Sequence, residues 1–572
     1  MLSSRSSPAL VSAAAAKKLP RYCLFLVLFA FIAPRLFAPE LWAGRDLNSF
    51  GVSWSMLQGG LSDWLFPNID GLYQTSYGPL TAWLSALFIK LLPFLPPGSA
   101  FHLSSGFWFA LFTASTWYGT YYLARRDEAQ PLAMVFGGEA ARKDYGRVIA
   151  DIATLLLIGT YGTLFGIREI TPSTTLLSLS AVLFLGISVG LDNVKKGSII
   201  SGIAIGLAST SSSFGTSVWF FFVAFASIFY TPDYGSRTQR TLYTFVVGFL
   251  IALIWPIIAF ICDPDLASSW FGAFIEHSLK DLALIPVSEM LWMIKNWAWA
   301  LLPVWPFAIW GVYSWRSQMK AAHIAVPLAI TIVTLISILF TGMDTRSTTF
   351  CLLPSLVALS AFGIATAKKS TENILDYFSG IVFSLMLIAL WLYFLAWDFG
   401  FPVKMAHSIA RLAPQVQATQ NALLLILAAL VTFLWALVVC WRLFRHPVYL
   451  WRGAWMGACG ITAISLVFTC LFNNLIDGAR GLETQVSSLS QQIGDLGLKG
   501  TVFKAENLNT SERAAFYALG NIRFTHDDEQ NSQYAIVAAP AEEKVLTDSY
   551  QILGSVNGRP RSDIVYEIRK IK

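Results

Sequence analysis

Apolar stretches of about twenty residues recur along the chain, and short segments rich in Lys and Arg close every second gap between them. Thirteen such stretches give the most consistent reading. The first covers residues 22–42 and is entered from Lys17, Lys18 and Arg21. The second, 102–124, ends in Arg125 and Arg126, the fourth at Lys195 and Lys196, and the sixth reaches Arg237 and Arg240. Arg316 and Lys320 follow the eighth, Lys368 and Lys369 the tenth, and WRLFRHP closes the twelfth. Lys and Arg accumulate on the cytoplasmic side of spans, so these ends predict a cytoplasmic N-terminus. The intervening loops, chiefly 43–100 and 263–296, then lie outside. Within 43–100 two short surface-lying helices are predicted, because Phe50, Trp54 and Leu57 share a helical face.

After residue 474 the pattern changes. Strand-like runs (GTVFKAE, QYAIVAAP, YQILGSV, DIVYEIRKI) alternate with short helical ones, and SERAAFYALG reads as a helix capped by Ser511 and stopped at Gly520. The expected architecture is therefore an α-helical polytopic membrane domain over 1–474. A small outward-facing α/β domain follows over 475–572.

Composition agrees with the pattern. Of 572 residues 55% are hydrophobic and only 13% charged, about half the charged fraction usual in soluble chains. The net charge of +6 is spread over the turns rather than gathered on one basic face, so nucleic-acid binding is excluded. All six cysteines lie in or beside apolar spans without a CxxC pair, which argues against a disulfide framework or a thiolate metal site. The first 22 residues lack a small-residue cleavage site after the apolar run and read as part of an uncleaved start-transfer segment.

The first loop carries the chemistry. It reads RDLNSFGVSWSMLQGGLSDWLFPNIDGLYQTSYGPL, with Asp46, then Met56-Leu57, Asp63-Trp64, Asp70-Gly71 and Gly78-Pro79-Leu80 in order. This run resembles the first outer loop of the bacterial polyprenyl-phosphate-dependent glycosyltransferases of the GT-C class. Within that class it is most similar to the aminoarabinose transferases acting on lipid A and the protein O-mannosyltransferases. GIAIGLAS, NWAWALLPVWPF and TRSTTFCLLPSL, later in the chain, are similar to segments of the same family. The chain departs from the family in three places. Arg45-Asp46 stands where the family has an Asp-Glu pair, and Tyr77 where it has a lysine. At the start of the fourth span Pro172-Ser173 replaces an acidic residue, with Glu169 just upstream.

The resemblance implies a bacterial inner-membrane enzyme of the cell envelope. Its donor would be a polyprenyl-phosphate-linked sugar; its acceptor would be a glycolipid such as lipopolysaccharide, a polysaccharide or a protein. Such a transfer needs a base for the acceptor hydroxyl and cations for the departing phosphate. Asp46 is the candidate base, the alternative being a cap for the loop helix. Glu169 orients the acceptor or assists a divalent metal, the alternative being a simple ion pair with Arg168. Arg346, Lys280 and Lys295 are candidates for the phosphate, with Arg45 and Arg168 beside the two carboxylates; solvation or headgroup contact is the alternative. Tyr77 either donates to sugar or phosphate, or anchors the interface. Asp151 is expected to pair with Arg147. No cofactor is required, and no histidine pair has ligand spacing. The tail either helps recognise the acceptor or packs over the loop. A transporter or lipid flippase, and a GT-C relative without catalysis, remain open beside the enzyme.

Overall fold

A computed structural model describes residues 7–38, 40–42, 44–166, 169–231, 237–280, 283–340, 349–411, 416, 418, 421–445, 447–525, 532–540, 550–560 and 562–571. A helix lies in each of the thirteen apolar segments, from Arg21–Leu36 to Arg452–Arg480. Among the described residues six helices are long and apolar enough to cross a membrane: Pro172–Gly190, Arg237–Cys262, Ala322–Phe340, Asn373–Phe399, Ala422–Arg445 and Arg452–Arg480. Several others are shorter, such as the 11-residue Val304–Ser314.

Small residues let these helices approach closely. A side chain on Gly206 would meet Ile251 and the Gly248 carbonyl within 2.7 Å, which fixes Val194–Ser211 against Arg237–Cys262. Between apolar helices this contact is van der Waals packing, so glycine at such a position is a packing residue.

Charged groups inside the bundle are paired over long sequence distances. Asp151 does not pair with Arg147, four residues before it. Its Oδ1 receives Arg21 Nη1 at 2.6 Å and Trp117 Nε1 at 2.8 Å, while Arg147 reaches Asp144 instead. The Asp151 carboxylate is fully buried and needs donors inside the bundle, whereas the Arg147–Asp144 pair lies where solvent screens it.

The first loop folds as a helix, Arg45–Gln58, a one-turn helix Leu61–Leu65, and a two-residue hairpin. In the hairpin β1 (Asn68–Ile69) pairs antiparallel with β2 (Leu72–Tyr73). The helix Leu80–Leu91 then leads to the long helix Pro97–Ala124. The apolar face through Phe50 and Trp54 is present, but protein covers it rather than a lipid surface. Phe50 is buried, stacked on Trp54 and edge-on to Phe101.

The last bundle helix continues to Arg480, past the expected boundary at 474, and the helix Glu483–Asp495 follows it. The tail's sheet is β3 (Val502–Glu506), β4 (Arg523–Phe524), β5 (Tyr534–Pro540), β6 (Tyr550–Asn557) and β7 (Ile564–Ile571), in the order β4-β3-β5-β7-β6. β3 runs parallel to β4 and β5, whereas β7 is antiparallel to β5 and β6. The tail helix is Thr510–Ala518, and its cap is Asn509, not Ser511: Asn509 Oδ1 accepts from the Glu512 N–H, and Glu512 Oε2 accepts from the Asn509 N–H. Ser511 is thereby left to bond the first loop.

The tail packs over that loop, and the two share one core. Leu47, Phe50, Met56 and Ile69 from the loop meet Leu482, Ala514, Phe516 and Ile536 from the tail. Gly51 marks a close approach, since a Cβ there would lie 2.6 Å from the Ala514 methyl. Asp70 holds the hairpin tip, accepting Arg523 Nη1 at 2.9 Å and the Phe524 N–H at 2.6 Å.

Candidate active site

Three segments meet at Asp46: the end of the first helix, the start of the loop helix and, 124 positions further on, the turn before Pro172–Gly190. Asp46 is 2% exposed, not poised at the water interface. Its Oδ2 lies 2.7 Å from Arg35 Nη2, and its Oδ1 accepts the Ile170 N–H at 3.0 Å. The side chain therefore binds the first helix to the second turn; it does not cap its own helix, whose cap is Gly44. Glu169 is half-buried and immediately precedes that Ile170 N–H. The segment after Tyr77 joins the same region, because Thr81 Oγ1 and Thr175 Oγ1 are 2.9 Å apart and Gly78 lies against the Thr210 backbone. Tyr77 itself is exposed.

The second loop's cations behave differently. Lys280 is exposed and paired with Glu276 at 2.7 Å, and Lys295 is exposed on the helix Val287–Ala300. Arg168 and Arg346 lie outside the described residues, and Arg45 is described only as the first residue of the loop helix.

Arg35 is the residue that span-by-span reading passes over. It interrupts FAFIAPRLF and is buried, and a charge inside a span is a functional hypothesis by default. Its contact with Asp46 is an ion pair rather than a linear hydrogen bond, and none of its nitrogens has a hydrogen-bond partner among the described residues. The guanidinium sits 5.5 Å from the Trp42 ring centroid, and Arg480 lies 5.6 Å from the same ring. His102, fully buried nearby, likewise has neither ring nitrogen bonded among the described residues; the Glu40 backbone lies beside the ring, outside hydrogen-bond geometry.

Below Trp42 the loop is tied to the last bundle helix. Trp42 pairs with Gly481 as an antiparallel bridge, and its Nε1 donates to Asp477 Oδ1 at 3.0 Å. Asp477 Oδ2 accepts from Asn473 at 2.8 Å. Burial, and then the neighbouring Asp477 and Glu483 carboxylates, push the Glu40 carboxyl up to about 7. The folded chain then holds more protons than the unfolded chain between an ordinary Glu pKa and 7, so stability from this joint falls as pH rises through that window. The melting temperature of the wild type should drop as pH rises from 4.5 to about 7, and this contribution should level off above that. Glu40→Gln should flatten that part of the profile, and an unchanged slope in the variant would remove Glu40 as its cause.

Two hollows adjoin the site. One, of about 260 Å³, lies on the seam between Gly44 and Asn48 of the loop and Asn509–Glu512 of the tail. The other, of about 390 Å³, runs between the first helix at Ala33, Pro34 and Phe37 and the helices bearing Leu427 and Asn473. Among the described residues no group of three or more His, Cys, Asp or Glu is arranged to hold a metal ion.

Superposition on solved structures relates this arrangement to a known architecture. ArnT from Cupriavidus metallidurans, solved bound to undecaprenyl phosphate, matches over 96% of this chain and 97% of its own, with a TM-score of 0.67 at 12% identity. Its apo state matches with the same score and coverage. The chain has the GT-C fold. A weaker likeness is found to the Archaeoglobus fulgidus oligosaccharyltransferase in its apo form, with TM-score 0.43, 10% identity, and coverage of 90% of this chain and 65% of that one. No family model and no curated protein sequence matches the chain. The GT-C fold is thus carried here by a sequence that shares few residues with its structural neighbours. The Arg35–Asp46 pair must be judged on its own geometry.

Proposed function

We propose that this protein is an inner-membrane glycosyltransferase, moving a sugar from a polyprenyl-phosphate donor to an acceptor alcohol at the periplasmic face. The observation that carries the reading is a carboxylate of the first loop held against a buried guanidinium whose donors are unfilled among the described residues, within a GT-C fold. In the proposed step the donor phosphate draws Arg35 away from Asp46, because a guanidinium fork binds phosphate oxygens in pairs. Asp46 Oδ2 is thereby released to take the acceptor's proton. The acceptor oxygen attacks the anomeric carbon, the bond to the phosphate oxygen breaks, and the polyprenyl phosphate leaves with inversion at carbon. Glu169 orients the acceptor beside Asp46, and Tyr77 donates to the sugar. The apolar groove beside Pro34 takes the start of the polyprenyl chain. Donor arrival and base exposure are one event in this scheme, which keeps the carboxylate from water until substrate is present.

The burial of Asp46, with both oxygens engaged, favours a second reading: a GT-C chain that keeps the pair as structure and has lost transfer. Mass spectrometry of glycolipids and surface glycans from a deletion strain separates the two. A glycan lacking one sugar, restored by the wild-type gene, is the expected result. An unchanged glycan profile together with no transfer by purified protein selects the second reading.

A further inference from the structure

At the end of the bundle away from Asp477, the helices Lys369–Phe399, Ala422–Arg445 and Arg452–Arg480 enclose a groove of about 320 Å³. Its walls are Gly380, Ile381, Leu385, Leu443 and Met456, and Asp376, Tyr377 and Arg442 stand at one end. Ile381 and Leu385 are each 60% exposed, so the groove opens sideways to where lipid chains lie. The charged end is built, not incidental. Arg442 Nε donates to Asp376 Oδ2 at 2.6 Å and Nη2 to Asn373 Oδ1 at 2.9 Å, which aims the guanidinium beside Tyr377, 5.4 Å from its ring centroid. Nη1 makes no hydrogen bond among the described residues. Among residues whose side chains are described, the helix ends around it carry Lys368, Arg442, Arg445 and Arg452 against Asp376.

We infer that this groove binds one anionic phospholipid, with an acyl chain along Gly380–Leu385 and its phosphate on Arg442. A basic end joined to an apolar trough between helices suits a negatively charged headgroup on a hydrocarbon chain. A free phosphate would leave the trough empty, and a zwitterionic lipid would leave the basic excess unanswered. The site is separate from the Asp46 region and stands whether or not sugar transfer does.

Native mass spectrometry of the detergent-solubilised full chain, offered equal amounts of POPG and POPE, tests this. POPG is expected to be retained about tenfold over POPE. Gly380→Leu, whose new side chain enters the trough with only Met456 nearby, should abolish that preference without touching Arg442. Ile381→Trp on the same wall is the second filling variant. Equal retention of the two lipids by the wild type, or POPG retained by either folded variant, overturns the assignment.

Discussion

Replacing Asp46 by asparagine is expected to lower sugar transfer by about 10²- to 10⁴-fold, the range a positioned general base contributes. The amide keeps an oxygen for the Ile170 N–H and a dipole for Arg35, so the protein should still purify and melt cooperatively. Asp46→Ala is a harsher change. It leaves the Arg35 guanidinium buried without its carboxylate, which costs about 3–5 kcal/mol where such a pair is broken from one side. Replacing both partners by apolar residues, Arg35→Met with Asp46→Leu, should recover most of that stability but none of the transfer. The split between the two readouts separates catalysis from scaffolding. If the apolar double variant moves sugar at the wild-type rate, the pair is scaffolding and the proposed base is wrong.

The second large effect is expected at Asp376, at the other end of the bundle. Its Oδ2 lies 2.6 Å from Arg442 Nε and 3.2 Å from Arg452 Nε, and the side chain is buried. Asp376→Ala removes the counter-charge shared by both guanidiniums and should cost about 3–5 kcal/mol, read as a lower melting temperature in detergent. Asp376→Asn should lose less, because it keeps an acceptor and the shape. A melting temperature unchanged in the alanine variant would mean that Arg442 and Arg452 are held by other contacts.

Helix positions in this fold were readable from sequence, because apolar runs and basic ends are local signals. The strands of the tail were readable for the same reason: the apolar run in QYAIVAAP and the mixed apolar and polar positions of DIVYEIRKI are visible without knowing the partners. What failed was partner choice. The helical face at Phe50 and Trp54 was plain, yet periodicity says only that a face is apolar, not whether lipid or protein covers it. Asp151 was matched to Arg147 by helical spacing, while its true partner Arg21 lies 130 residues away. Ser511 looked like the helix cap because it begins the helical run, but Asn509 supplies a better-placed oxygen. Arg35 disappeared inside an apolar average, although a lone charge in a span was itself the available signal. For the candidate site, sequence and family resemblance together singled out Asp46 and the Glu169 turn, whose next residue bonds Asp46. They did not reveal the ion pair that shields Asp46, since that depends on how the first span and the first loop fold back on each other.

The contact between Asp70 and Arg523 joins residues 453 positions apart. Ribosomes therefore deliver the early loop long before the strand and helix that complete its core exist. Through nearly the whole of synthesis Phe50, Met56 and Ile69 must remain either solvent-facing or guarded by a chaperone. Maturation of the early segment is thereby tied to completion of the nascent chain.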